Sequence, residues 1–265
     1  SSPLMRIFFL FVLLPHSSLT TAQAIDVADW STLEQQARGQ TVYFNAWGGE
    51  PRINSYLNWV AQTLEQRFDI TLQHVKVADT GETVSRIVAE RQAGNDTNGS
   101  IDLLWINGEN FATLKENDLL FGPWAEQQPN FGLVNANRFP EMREDFTVPT
   151  DGLESPWTRS QLVFYHDSQW LVEPPRTIAA ILDWSTSNPG EFTYPRPPAF
   201  LGSTFLKQAV LEISNKDPAL FAPVTDNEFQ RVTSGLWDYL DALHPTLLRA
   251  GRHFPNSAAQ LRRLM

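Results

Sequence analysis

The sequence predicts an α/β fold with a largely parallel sheet, and three observations carry that prediction. Strand and helix patterns alternate three times between Thr41 and Glu116, the order expected of βαβ units. The first strand, Thr41-Val-Tyr-Phe-Asn-Ala-Trp47, runs directly into Gly48-Gly49 and then a helical pattern after Pro51. In open α/β sheets, ligands bind outside the carboxyl ends of strands, near such helix starts. The third observation is length: 265 residues without one Cys can bury a core with no disulfide, because the buried fraction rises with chain size.

Taken in order, Asp26 to Gln40 reads as a short N-terminal helix. Val42 to Phe44 are β-branched or aromatic and suit a buried strand. Ile53, Leu57, Val60, Ala61, Leu64 and Phe68 then recur at helical spacing. Asp69 to Val77 alternates as a second strand. Asp79 and Glu82 form a capping signature ahead of a helix through Val84, Ile87 and Val88. Ile101 to Ile106 is the third strand, followed by Asn107-Gly-Glu-Asn110 and a helix opening at Phe111 and Leu114. Prolines at 123, 129, 140, 149 and 156 break up the next stretch. Gln161 to Tyr165 and Glu191 to Tyr194 read as strands. Thr177 caps a short helix, Phe205 to Ile213 marks another, and Thr225 caps a longer one reaching Leu243. Ser257 caps a last helix.

The N-terminus has the pattern of a secretory signal. Ser1 to Leu4 reads as a remnant ahead of Met5; Arg6 is basic, Ile7 to Leu14 is apolar, and Ala22-Gln-Ala24 is a small-residue cleavage site. Eight apolar residues are too few for a bilayer span, which takes about 20. Cleavage after Ala24 leaves 19 basic against 30 acidic residues, a net charge of −11. Such acidity excludes a basic nucleic-acid footprint and favours cationic ligands only in a general way. No G-x-G-x-x-G, Walker loop, G-x-S-x-G elbow or H-E-x-x-H pair occurs. His74, His166, His244 and His253 are far apart, and Arg262-Arg263 reads as a solvated helix face. No catalytic residue, metal or cofactor is therefore assigned.

Asn45-Ala-Trp-Gly-Gly49, Ile101-Asp-Leu-Leu-Trp-Ile-Asn-Gly-Glu-Asn110 and Ser155-Pro-Trp-Thr-Arg-Ser-Gln-Leu-Val-Phe-Tyr165, together with the export signal, resemble the periplasmic solute-binding proteins of ABC importers. The resemblance is to the YnjB-like subgroup of the extracellular solute-binding family, relatives of binding proteins for thiamine, iron, polyamines and sugars. It implies a type II-like fold of two hinge-linked lobes, largely parallel in sheet, with solute held between them. Residues 25–155 are expected to form lobe one, 156–165 the hinge crossing, and 166–265 an incomplete lobe two, after a 1–24 signal segment. The implied partners are a small-molecule solute and an inner-membrane ABC permease, with the protein a periplasmic monomer.

The resemblance also matches Trp47, Gly48 and Gly49 to the first binding loop, and Asn107, Glu109 and Asn110 to the loop after the third strand. It matches Trp157 to the hinge entrance, and Gly202, Ser203 and Thr204 to a lobe-two loop at a helix start. Aromatic rings stack on flat or cationic solutes, and free N–H groups at helix starts hold anions. Simpler roles stay open beside these: Trp47 folded onto the core, Asn107 as a cap, Glu109 complementing a helix dipole. A thiamine-like cationic or planar solute is favoured over a sugar. A secreted hydrolase or transferase with catalytic residues after Met265 is the alternative, and the downstream sequence discriminates.

The family pattern returns to lobe one with C-terminal helices, so the sequence is expected to be C-terminally truncated. An uncovered parallel sheet exposes apolar strands. Residues 25–265 alone are therefore expected to fold partly and bind solute poorly. Thermal unfolding and solute titration beside a longer form check this: a cooperative transition with equal affinity would contradict it.

Overall fold

The computed structural model describes residues 25–265, so the predicted signal peptide at 1–24 lies outside the described residues. Helix α1 spans Trp30–Ala37, shorter than expected, and starts where the Asp29 carboxylate accepts the Thr32 N–H at 3.1 Å. Strand β1 (Thr41–Trp47) leads to helix α2 (Pro51–Phe68), β2 (Thr71–Val77), helix α3 (Thr80–Gln92), β3 (Leu103–Leu104) and helix α4 (Glu109–Glu116). The sheet order is β2-β1-β3, and both pairings are parallel. Alternating βα units thus produce the parallel sheet that the pattern predicted.

β1 is central and is the most deeply buried of the three strands, with Phe44, Asn45 and Ala46 consecutively buried. Phe44 and Ala46 bury one face against Leu57 of α2, with Ile53, Leu72 and Trp105 packed around them. β3 is far shorter than the predicted Ile101–Ile106, and side chains explain why. The Asp102 carboxylate accepts the Tyr43 N–H at 2.9 Å, replacing a ladder carbonyl, and the Thr80 hydroxyl donates to the Trp105 carbonyl at 3.0 Å.

Between α4 and residue 156 the chain forms three short 3₁₀ turns and a small hairpin, β4 (Glu144–Asp145) paired antiparallel with β5 (Val148–Pro149). The hairpin turns through Phe146 and Thr147, both at positive φ (46° and 70°). That conformation suits Asn-Gly, and an aromatic and a β-branched residue adopt it under strain.

Two predicted strands are absent. Residues 161–165 and 191–194 are irregular, because no other strand lies in residues 166–265 to supply a hydrogen-bond ladder. Val163, Phe164 and Tyr165 are instead exposed, and Phe164 packs edge-on against Phe205 at 6.1 Å.

The rest of the chain is helical: α5 (Ile178–Ser187), α6 (Phe200–Ile213), α7 (Asp226–Leu243) and α8 (Ala258–Arg263). The predicted caps are in place, with Thr177, Thr225 and Ser257 each accepting a first-turn N–H. Ile178, Ile181, Phe205, Ala209, Leu236, Leu240 and Leu243 build one apolar core from α5, α6 and α7. The Tyr239 hydroxyl donates to the Ile178 carbonyl at 2.8 Å, so its buried oxygen is satisfied.

Gly202 is part of this packing. α6 begins at Phe200, not after Thr204, and a Cβ on Gly202 would overlap the Pro195 carbonyl oxygen. Gly202→Ala is expected to destabilise by about 1–3 kcal/mol through overpacking. Gly132→Ala, with nothing within 4 Å of the added carbon, is the control. Chemical denaturation of both variants reads the difference; equal stability of the two would contradict the packing account.

Candidate functional site

The turn after β1 is shaped by its own tryptophan. The Gly48 N–H donates to the Val77 carbonyl at 3.1 Å, and the Asn54 amide donates to the Gly48 carbonyl at 2.9 Å. A Cβ on Gly49 would fall 2.6 Å from the Trp47 indole. The ring therefore folds back over the turn, which only glycine allows.

Trp47 opens a chain of aromatic rings at the carboxyl edge of the sheet. Trp105, just past β3, meets it edge-on with centroids 6.3 Å apart. Trp157 lies 5.5 Å from Trp105, and Tyr56 of α2 lies 5.9 Å from Trp157 and 5.7 Å from Trp59. Tyr56, Trp59 and Trp157 are about half exposed, so ring faces remain open for stacking. The structure thus brings Trp47 and Trp157 together through Trp105, which the sequence reading did not select. Its signal was positional: Trp105 ends β3 as Trp47 ends β1. Tyr56 and Trp59 stand off the apolar stripe of α2, which marks them as surface aromatics.

A second group forms where α3 and α4 face α6. Asp79 accepts the Gly81 N–H at 2.9 Å through one oxygen and the Phe200 N–H at 3.3 Å through the other. Ser203 donates to Glu109 at 3.5 Å, a long contact. Asn107 does not cap α4; Gly108 holds that position. Asn107 and Asn110 are half-buried beside it. Gly202 and Thr204 sit inside the first turn of α6, and the Thr204 hydroxyl donates back to the Phe200 carbonyl at 2.7 Å. Ser203 alone of the three reaches across to Glu109.

Beside Gly108 lies an acidic pair, Asp145 buried and Glu154 half-buried. The Gly108 N–H donates to both oxygens of Asp145 at 2.9 Å. Glu154 hydrogen-bonds to Asp145 and is held protonated: burial first, then the Asp145 charge, push its carboxyl up to about 8. Burial also raises Asp145, while Gly108 and Lys207 oppose that rise. The Lys207 ammonium of α6 sits 4.6 Å over the Phe146 ring, which in turn meets Phe200 edge-on at 6.0 Å. The strained hairpin turn holds Phe146 there.

No group of three or more metal-ligating side chains occurs among the described residues. Two surface pockets lie elsewhere: one between α2 and β2 at Asn58, Gln62 and Leu72, another at Ala219, Val224 and Phe229. The first is lined chiefly by polar side chains without an aromatic ring and the second chiefly by apolar ones, whereas the strand-end cluster sets open rings beside polar groups.

Glu154 gives a pH prediction. Its folded value, about 8, exceeds the ordinary 4.5, so the folded state binds the extra proton. Its contribution is fully present below about 4.5 and is lost as pH rises through about 8. Glu154→Gln keeps a neutral donor, so its stability relative to the unmodified protein is expected to rise with pH across that window. Melting temperatures from pH 4.5 to 9 measure this; parallel curves would contradict a protonated Glu154.

Among known proteins, the description "Bacterial extracellular solute-binding protein" matches residues 59–245. Protein YnjB of Escherichia coli (strain K12) is 46% identical over 242 residues, which is 91% of this chain. The chain spans 62% of that relative's length. No solved structure matches. The α/β content and parallel sheet are consistent with a two-lobed α/β fold. With more than half its length matched, the chain belongs to the bacterial extracellular solute-binding protein family.

Proposed function

We propose that this chain captures a small solute as the periplasmic binding component of an ABC importer and delivers it to the membrane permease. One observation carries the reading: aromatic residues at the ends of β1 and β3 converge with Trp157, beside the contact of α3 and α4 with α6. Capture needs open stacking surfaces with polar groups nearby, and the half-exposed Tyr56, Trp59 and Trp157 rings and the Ser203–Glu109 contact support that reading. Family membership supports binding without chemical turnover. No helix of the described residues is long and apolar enough to cross a membrane; the cleaved signal and periplasmic location remain part of the proposal.

In this reading residues 25–155 form one lobe, 156–165 the crossing, and 166–265 part of the second lobe. Trp47, Trp157, Glu109 and Ser203 line the cleft. Gly48 and Gly49 shape the first loop, and Asn107 and Asn110 sit beside the second. The protein acts as a monomer. The ring cluster and the acidic chain favour a cationic or planar solute such as a thiamine-like compound.

A melting series of the intact protein with thiamine, spermidine and maltose tests this. Ligand at about 100 times its dissociation constant stabilises by about 2.7 kcal/mol, a clear upward shift. Trp157→Ala is expected to weaken that shift. Chemical conversion of a bound solute would overturn the transport reading.

A further inference from the structure

We propose that Trp47 and Glu50 form a subsite for an organic cation, and that Arg262 occupies it as an internal substitute. This rests on the solute-binding reading above. The Arg262 guanidinium lies over the Trp47 ring, 5.9 Å from its centroid, and donates to the Glu50 carboxylate at 3.2 Å. These partners are more than two hundred positions apart in sequence and come from opposite ends of the described chain. The pair is therefore a tertiary contact between α8 and the β1–α2 turn. Arg262 and Arg263 are both exposed, as a solvated helix face requires, but Arg262 also reaches the β1–α2 turn.

Both halves of the subsite are fixed without Arg262. The indole is held over its turn by Gly49 and packed against Trp105. Glu50 is the N-cap of α2, where its second oxygen accepts the Arg52 N–H at 3.3 Å. An aromatic face beside a fixed carboxylate is the chemistry that recognises a guanidinium or a heteroaromatic cation. The position fits as well, since this turn opens at the carboxyl edge of the parallel sheet.

Arg262 is suited to leave. Its side chain is 53% exposed, and exposed ion pairs are weakly held. The helix that carries it has six residues and is anchored behind Arg262, where the Arg196 N–H donates to the Pro255 carbonyl at 2.6 Å. A solute cation would replace the guanidinium with the same contacts and release the Arg262 side chain from the turn. Arg262 thereby sets a threshold: only a cation that binds better than the chain's own displaces it.

The test follows the Trp47 indole N–H signal of ¹⁵N-labelled intact protein, assigned with Trp47→Phe. Agmatine and thiamine are titrated into the unmodified protein and Arg262→Ala, with maltose as the neutral control. Both cations are expected to move the signal at roughly tenfold lower concentration in Arg262→Ala, with Arg262→Lys close to unmodified. Glu50→Gln is expected to weaken both cations, and melting curves check that each variant folds. Equal midpoints in the unmodified protein and Arg262→Ala would overturn the proposal, as would no response of Arg262→Ala to either cation. If maltose or another solute stabilises the protein while the cations leave Trp47 unmoved, the subsite is wrong and the solute-binding reading stands. If the cations report as expected but are chemically converted, the subsite stands and the transport reading fails.

Discussion

The Asp79 carboxylate joins the two halves of the chain. One oxygen accepts an N–H in the first turn of α3, the other accepts the first N–H of α6. α6 has no cap of its own, because Ala199 precedes it. A single charge therefore serves two helix starts, each of which would otherwise leave N–H groups unpaired and a positive dipole end unopposed. The aromatic edge of the sheet and the Ser203–Glu109 contact both take their relative positions from this link. Replacing an ordinary cap costs about 0.5–2 kcal/mol; here the same change would also release α6 from the sheet domain.

That link also explains which parts of the fold were legible. Caps supplied by the adjacent residue were readable: Thr177, Thr225 and Ser257 each precede their helices. The start of α6 was not, because its cap lies 121 positions away. The pattern at Phe205 was real, but it marked the middle of the apolar face, and Gly202-Ser-Thr204 was consequently placed in a loop. The predicted strands at 161–165 and 191–194 failed for a related reason. Their residues have β-propensity, but a strand exists only with a partner. The parallel sheet itself was legible because its periodicity is local and repeats three times. Of the site, Trp47 is visible as a large ring in a glycine turn and Trp157 only through the family resemblance, whereas Asp145, Glu154 and Lys207 meet only after folding.

The acidic pair beside Gly108 shows how two costs are reconciled. Burying two carboxylates side by side is prohibitive if both are charged. Glu154 keeps its proton and donates it, so only Asp145 needs compensation. Asp145 receives it from the Gly108 N–H and, at longer range, from Lys207. Lys207 is itself placed by the Phe146 ring, and Phe146 is presented by a turn with unfavourable φ values. Strain of that kind persists only where surrounding contacts over-determine it. Here those contacts come from α6, so the hairpin and the second half of the chain fix each other.

Parallel strands gather their carboxyl ends on one edge, which is why so many unrelated constraints meet there. The glycines serve Trp47, Trp47 packs on Trp105, the Trp105 carbonyl accepts the Thr80 hydroxyl, and Thr80 follows Asp79. The route from the aromatic face to the link between the halves thus runs through packed rings and one hydrogen bond. A solute that shifts Trp47 bears on the same framework that places α6. Under the proposed solute-binding reading, this shared framework is the route by which a solute at Trp47 would bear on α6, since a ligand drives a rearrangement only by contacting one arrangement better than the other.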